Sequence, residues 1–269
     1  MIEDRPEPAA ADTTAPVIAT QSLTRRFGAQ VAVDGLSLEV PAGAFYGFLG
    51  PNGAGKSTTI NILTGLLAPS GGHAHVLGFH VAHDSLEIKR RIGVVPDGLA
   101  LFERLTGAEQ VAFVGRMHGL DAAETARRSH ALLEAMELAG DAHKLVAGYS
   151  HGMRKKLALC CALIHNPRLL FLDEPFEGVD AVAAKGIRDL LLRIVAKGHT
   201  TIFLTSHVLE IVERLCSHVG IIAKGRLVAS GRIADLQRAP DGQVRSLESL
   251  FITLVGGGRD PGVGLDWLG

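Results

Sequence analysis

The chain has no excess of basic charge. Its 27 Lys and Arg stand against 28 Asp and Glu, for a formal net charge of −1 at pH 7. That balance argues against a nucleic-acid surface built on a general positive field. No run approaches the ~18 uninterrupted apolar residues that a membrane-spanning helix requires. Cysteine is scarce: Cys160 and Cys161 are adjacent and Cys216 lies far along the chain. Three such thiols suit ordinary core positions in a reducing cytosol rather than a disulfide framework. Residues 1–16 are acidic and rich in Pro and Ala, without the basic start and apolar centre of a signal peptide. They are expected to form a disordered tail. No internal repeat is visible.

Hydrophobic residues are what the chain has in plenty, at 47% with a mean hydropathy of +0.23. In 269 residues this allows a sizeable core, as one large domain or two small ones. The excess points to a parallel sheet buried on both faces, with room for a surface that docks on a partner.

Gly50-Pro51-Asn52-Gly53-Ala54-Gly55-Lys56-Ser57-Thr58 is a complete phosphate-binding loop. The apolar run 44–49 ahead of it reads as a buried strand, and 57–67 reads as a helix start. In that context Gly53 and Gly55 let the backbone curl so that successive N–H groups point at phosphate oxygens. The helix N-terminus adds partial positive charge, Lys56 can reach the outer phosphates, and the Ser57 hydroxyl is placed to ligate Mg²⁺. The chain is expected to bind a nucleoside triphosphate.

Around the loop, 17–40 alternates apolar and polar residues and predicts a small, mostly antiparallel sheet. A strand at 91–95 leads into Pro96-Asp97-Gly98. From about 100 to 147 the apolar spacing turns helical, at 109–117 and 124–138, and another helical run covers 154–164. Strands at 169–172 and 200–205 then alternate with helices at 181–197 and 208–216, and two short strands follow at 219–223 and 226–229. The glycine-rich stretch 255–269 is expected to be a flexible tail.

The strand Leu169-Leu170-Phe171-Leu172 runs straight into Asp173-Glu174. Four apolar residues followed by two acids place the carboxylates at the carboxyl edge of a parallel sheet, where ligands of such sheets bind. Asp173 there holds Mg²⁺ through a water, and Glu174 orients or deprotonates the attacking water. His207 stands at the end of the 200–205 strand, where it would touch the terminal phosphate. Ser150, in Tyr149-Ser150-His151-Gly152-Met153, is a good N-cap that could also present helix N–H groups to a phosphate.

Together these pieces resemble the ATP-binding cassette ATPase family over roughly 17–254. Gly50 to Thr58 matches Walker A, and Leu169 to Glu174 matches Walker B with its catalytic glutamate. Ser150, Gly152 and Met153 fall in the signature motif, Asp180 in the D-loop and His207 at the switch histidine. Phe27 matches the aromatic that stacks on adenine. The resemblance implies an α/β P-loop NTPase with a RecA-like core, an antiparallel β subdomain and a helical subdomain at about 100–165. It also implies ATP and Mg²⁺, catalytic roles for Lys56, Glu174 and His207, and a head-to-tail pair in which Ser150 and Gly152 act in trans.

Asp97 stands where the family usually has the Gln that touches Mg²⁺ and the attacking water. Asp can still ligate the metal, so Ser57, Asp97 and Asp173 are the expected metal contacts. The Tyr-Ser-x-Gly-Met form of the signature and the ending 246–251 look like exporter-type members that pair with ABC-2-like membrane proteins. Nor does the stretch after His207 leave room for the added β domain of many importers.

Other features are read more plainly. His73, His75, His80 and His83 are read as solvated surface residues, with metal binding the lesser alternative. The run Arg154-Lys155-Lys156 is read as a solvated face that can also serve phosphate or partner contacts. Leu99, Leu101, Phe102 and Leu105 either pack the helical subdomain or receive a helix of the membrane subunit.

The resulting expectation is the ATPase subunit of an exporter, peripheral to the cytoplasmic face of the membrane. Its partners would be a separate multi-spanning membrane subunit and a second ATPase domain, as homodimer or heterodimer, with no direct nucleic-acid contact. A soluble ATPase acting on ribosomes or DNA is the alternative, and an ATP-trapping regulator a third reading.

Overall fold

The computed structural model describes residues 15–238 and 244–256. Apart from 15–16 and 255–256, the tails expected at 1–16 and 255–269 lie outside the described residues. The first sheet follows from alternation. Strands β1 (Ile18–Phe27) and β2 (Gln30–Val40) pair antiparallel, and along β2 the buried Leu36, Leu38 and Val40 alternate with exposed Ser37 and Glu39. After β3 (Phe45–Leu49) and α1 (Lys56–Leu63), strands β4 (Gly71–Val76) and β5 (Phe79–His80) extend this sheet in the order β2-β1-β4-β5. The sequence does not announce β4, which opens Gly-Gly-His. Its strand character comes from pairing with β1 and burying Ala74 and Val76, a case of packing overriding local preference.

Helix α2 (Ser85–Arg91) feeds directly into β6 (Ile92–Val95), so Arg91 ends a helix where the sequence predicts the start of a strand. The next stretch holds α3 (Gly107–Met117), α4 (Ala122–Ala135) and α5 (His151–Leu163). A reciprocal capping box of Thr106 and Glu109 starts α3, and the Asp121 carboxylate accepts the Glu124 N–H to start α4. Then come β7 (Leu169–Asp173), α6 (Ala181–Ala196), β8 (Thr201–Ser206), α7 (Leu209–Leu215), β9 (His218–Ala223), β10 (Arg226–Arg232), α8 (Ile233–Leu236) and α9 (Leu247–Val255).

The second sheet has the order β10-β9-β3-β8-β7-β6, parallel throughout except that β10 lies antiparallel on β9. Every residue of β3, β7 and β8 is buried, as expected of strands covered on both faces. Their side chains alternate between two cores. Phe45, Leu49, Leu170, Leu172, Ile202 and Leu204 face the helical side. Tyr46, Phe48, Phe171 and Phe203 face Leu36, Leu38 and Ile62 from the antiparallel sheet and α1. Phe203 is central there, its ring centroid 5.7 Å from Tyr46, 5.3 Å from Phe48 and 5.6 Å from Phe171. Each such side chain contributes about 1.5–3 kcal/mol of burial.

The three cysteines are free and buried, and burial raises all three thiols, Cys161 to about 12. The basic run at the start of α5 is not a solvated face. Lys155 and Lys156 are buried, with Lys155 Nζ donating to the Glu174 carbonyl at 2.8 Å and Lys156 Nζ to Glu137 Oε2 at 3.1 Å. Only Arg154 stays near solvent, paired with Glu103. Of the apolar group after Asp97, Leu99 and Leu101 pack on the core, whereas Phe102 is exposed against Phe113. Among the described residues no helix is long and apolar enough to cross a membrane.

Candidate functional site

Parallel register assembles the site. Leu49 lies opposite Ser206, Thr205 opposite Asp173, and Leu172 opposite Val95. The next residues of four strands, Gly50, His207, Glu174 and the Pro96-Asp97 pair, therefore leave the sheet at one carboxyl edge. A cleft of about 560 Å³ opens there, lined by Phe27, residues 51–58, Asp97, Asp173, Glu174 and Glu177, among others.

The loop over this cleft has the backbone that its glycines allow. Gly53 has φ 77° and Gly55 has φ 107°, both left-handed. A Cβ on Gly55 would meet the Ala32 carbonyl oxygen at 2.4 Å, so this turn excludes every side chain. Gly55 is the N-cap of α1, which has no acid in its first turn. The first N–H groups of α1 thus open onto the cleft with their partial positive charge intact. Lys56, nearly buried, donates to the Gly50 carbonyl at 2.8 Å and stands 3.5 Å from Glu174 Oε1.

Glu174 is the hub. Its φ of 48° is left-handed, a conformation worth about 1–3 kcal/mol of strain outside glycine. Three elements hold it there. Its N–H donates to Thr205 Oγ1 of β8 at 3.1 Å, and its carbonyl accepts from Lys155 of α5. Its carboxylate, 12% exposed, pairs with Lys56 and meets His207 Nδ1 at 3.1 Å. The Thr205 hydroxyl in turn donates to Asp173 Oδ1 at 2.5 Å, which fixes the neighbouring acid. Burial lowers the Lys155 pKa, while Asp97, Glu177, Asp173 and Glu174 pull it back up. A cation thus sits beneath an acidic edge.

Sequence reasoning missed Thr205, Lys155 and Glu177. Thr205 carried a signal, as a polar residue that ends the apolar run Ile202-Phe203-Leu204 two positions before His207. Lys155 was hidden in a run that reads as surface. Glu177 offers a ligand atom within 4.8 Å of those of Glu174 and His207, and so belongs to this same cleft.

The structure does not bring the signature residues to the cleft. The Ser150 hydroxyl accepts the Met153 N–H at 3.2 Å, capping α5, and Met153 packs against the helical core. Asp180 Oδ1 accepts the Val182 and Ala183 N–H groups at 3.0 Å, which holds its carboxyl below the usual range. Gly152 faces Asp180 and Ala183, where a Cβ would come within 3.3 Å of the Ala183 methyl. Phe27 does line the cleft, 46% exposed, with the Arg25 guanidinium 4.6 Å over its ring.

The family profile described as ABC transporter matches residues 33–177. This chain belongs to the ABC transporter family. The daunorubicin/doxorubicin resistance ATP-binding protein DrrA of Streptomyces peucetius is 39% identical over 220 residues, 82% of this chain and 66% of the relative. The bacitracin transport ATP-binding protein BcrA of Bacillus licheniformis is 38% identical over 215 residues, 79% of this chain and 68% of its own length. The ABC family chain therefore spans about two thirds of these relatives. A solved ATP-binding subunit of an ABC transporter superposes with TM-score 0.82 at 31% identity, covering 88% of this chain and 99% of that one. The P-loop NTPase class expected from the sequence is the observed one.

Proposed function

We propose that this chain is the ATP-hydrolysing subunit of an exporter and drives transport through a separate membrane-spanning subunit. The observation that carries ATP hydrolysis is Glu174, clamped between Lys56 and His207 at the mouth of a glycine loop. The likeness to drug-resistance and bacitracin-transport ATP-binding proteins supports the exporter reading. The triphosphate lies along Gly50, Asn52, Gly53, Ala54, Gly55, Lys56, Ser57 and Thr58, with adenine against Phe27. Oxygen donors suit a hard cation, and Ser57, Asp97 and Asp173 are the groups on this cleft that would hold Mg²⁺. Mg²⁺ supplies charge neutralisation at the outer phosphates. Lys56 exchanges its bonds to Gly50 and Glu174 for phosphate oxygens. Glu174 then accepts a proton from the attacking water, while the ring of His207 fixes its carboxylate.

Ser150, Gly152, Met153 and Asp180 complete the site from a second copy, head to tail, since in this chain they turn away from the cleft. ATP closes such a pair and hydrolysis reopens it. The chain works at the cytoplasmic face of the membrane. A groove of about 370 Å³ beside Asp97, lined by Leu66, Leu99, Leu101 and Val114 among others, receives the membrane subunit.

The test is a pull-down of tagged Glu174→Gln protein with ATP from detergent-solubilised membranes of the source cell, read by mass spectrometry. A co-purifying multi-spanning membrane protein is the expected result. Ribosomal or DNA-repair proteins without one would overturn the exporter reading in favour of a soluble ATPase.

A further inference from the structure

The histidines that the sequence clusters in a short stretch and reads as solvated surface residues meet ring to ring in the fold. His75 and His80 are register partners across the β4–β5 hairpin, with ring centroids 5.1 Å apart. His73 lies two residues before His75. Because Ala74 and Val76 face the core, His73 and His75 share the outer face of β4. The His73 ring is 6.0 Å from that of His80. The turn after β5 folds back, with the His83 and Asp84 N–H groups both donating to the His80 carbonyl, at 3.2 and 2.9 Å. This stacks the His83 ring 4.6 Å from His80.

We propose that His73, His75, His80 and His83 form a binding site for one divalent transition-metal ion of the zinc, nickel and copper class. Metal–nitrogen bonds of ~2.1 Å in a tetrahedral site put imidazole centroids ~5 Å apart. The spacings of 4.6, 5.1 and 6.0 Å, each measured to the His80 ring, lie around that value. In the present rotamers no three of these side chains bring ligand atoms within 4.8 Å of one another, so binding requires the outer rings to turn about His80. His73, His75 and His83 are exposed and free to do so.

Electrostatics favour the same occupant. Asp84 Oδ2, which accepts the His80 N–H at 3.0 Å, holds a negative charge beside the site. His80 Nδ1 accepts from the Ala82 N–H at 3.3 Å, a long and exposed bond that ligation exchanges for a stronger one. The ion would tie β4, the two-residue edge strand β5 and the following turn together.

Calorimetric titration of Zn²⁺ into the full chain, purified without a histidine tag, tests the proposal. Co²⁺ absorption reports the coordination. The expected result is saturable binding of one ion per chain, with His75→Gln and His80→Gln each weakening it about tenfold or more. His130→Gln, at an exposed histidine elsewhere, serves as the unchanged control. ATP binding by the variants checks that they fold. No saturable uptake by the wild-type chain would overturn the proposal. So would wild-type affinity in the variant carrying both His75→Gln and His80→Gln, which would place the ion instead on Glu174, Glu177 and His207.

Discussion

At the carboxyl edge of the parallel sheet, Lys56, Asp173, Glu174 and His207 are linked through contacts between different elements. At the starts of α5 and α6, Ser150 and Asp180 instead satisfy only the ends of their own helices. The first region is a network that strains its central residue and holds the strain from three sides. The second is a pair of ordinary helix caps with the buried Gly152 packed between them, against Asp180 and Ala183. One is built to act on what it binds, and the other is built to be offered to something else. A head-to-tail pair needs both in each chain.

The two regions should respond differently to substitution. The largest effect belongs to Glu174→Gln, expected to lower ATP turnover by roughly 10²–10⁴-fold while leaving ATP bound. Phosphate-release kinetics with a parallel nucleotide-binding measurement separates these, and undiminished turnover would remove Glu174 from the reaction. Thr205→Val keeps the shape but deletes the hydroxyl shared by Asp173 and the Glu174 N–H. A loss of about 1.5–3 kcal/mol in denaturant unfolding is expected, with turnover falling more than ATP affinity. Ser150→Ala should cost about 1 kcal/mol through the lost cap. It should leave ATP affinity of the isolated chain unchanged, which Lys56→Ala should not. Asp97→Gln is expected to shift the Mg²⁺ dependence of turnover modestly, since Asp97 is exposed at the rim of the cleft. An unaltered metal profile would make Asp97 a turn residue only.

A pH effect lies away from both regions and serves as a control on the comparison. His165 stacks on His118 at 3.7 Å and contacts the Ile92 carbonyl. Burial, then the neighbouring His118, brings its pKa from 6.5 down to about 4. Below pH 6.5 the unfolded chain takes up a proton that the folded chain refuses. Stability is therefore fully present above that pH and falls as pH drops toward 4, by at most ~1.4 kcal/mol per unit. Unfolding curves at pH 7 and 5 should show the loss, and His165→Gln should reduce it.

Much of the fold was legible because the parallel strands are continuous apolar runs ending in diagnostic residues. Leu169 to Glu174 reads the same in sequence and in space. Strands β4 and β5 were not legible, because β4 becomes strand only by pairing with β1, and β5 only by pairing with β4. Helix α2 was hidden for a related reason: Arg91 closes it by pairing with Glu87 one turn back, a contact with no apolar signature. Within the site, the glycine loop and both acids stand in unbroken motifs. Thr205 and Lys155 belong to no motif and act through register and burial, which a linear reading does not show. The histidine cluster has the same character, since His75 and His80 meet only through the hairpin.

Mixing two defective chains tests the central claim most directly. Lys56→Ala keeps an intact signature, and Ser150→Arg keeps an intact loop and Glu174. Each alone should be nearly inactive. Combined with Mg²⁺ and ATP, they should give turnover well above the mean of the two separate samples, because one composite site in each mixed pair is complete. A mixture no more active than that mean, at every ratio and concentration, would contradict a site shared between copies.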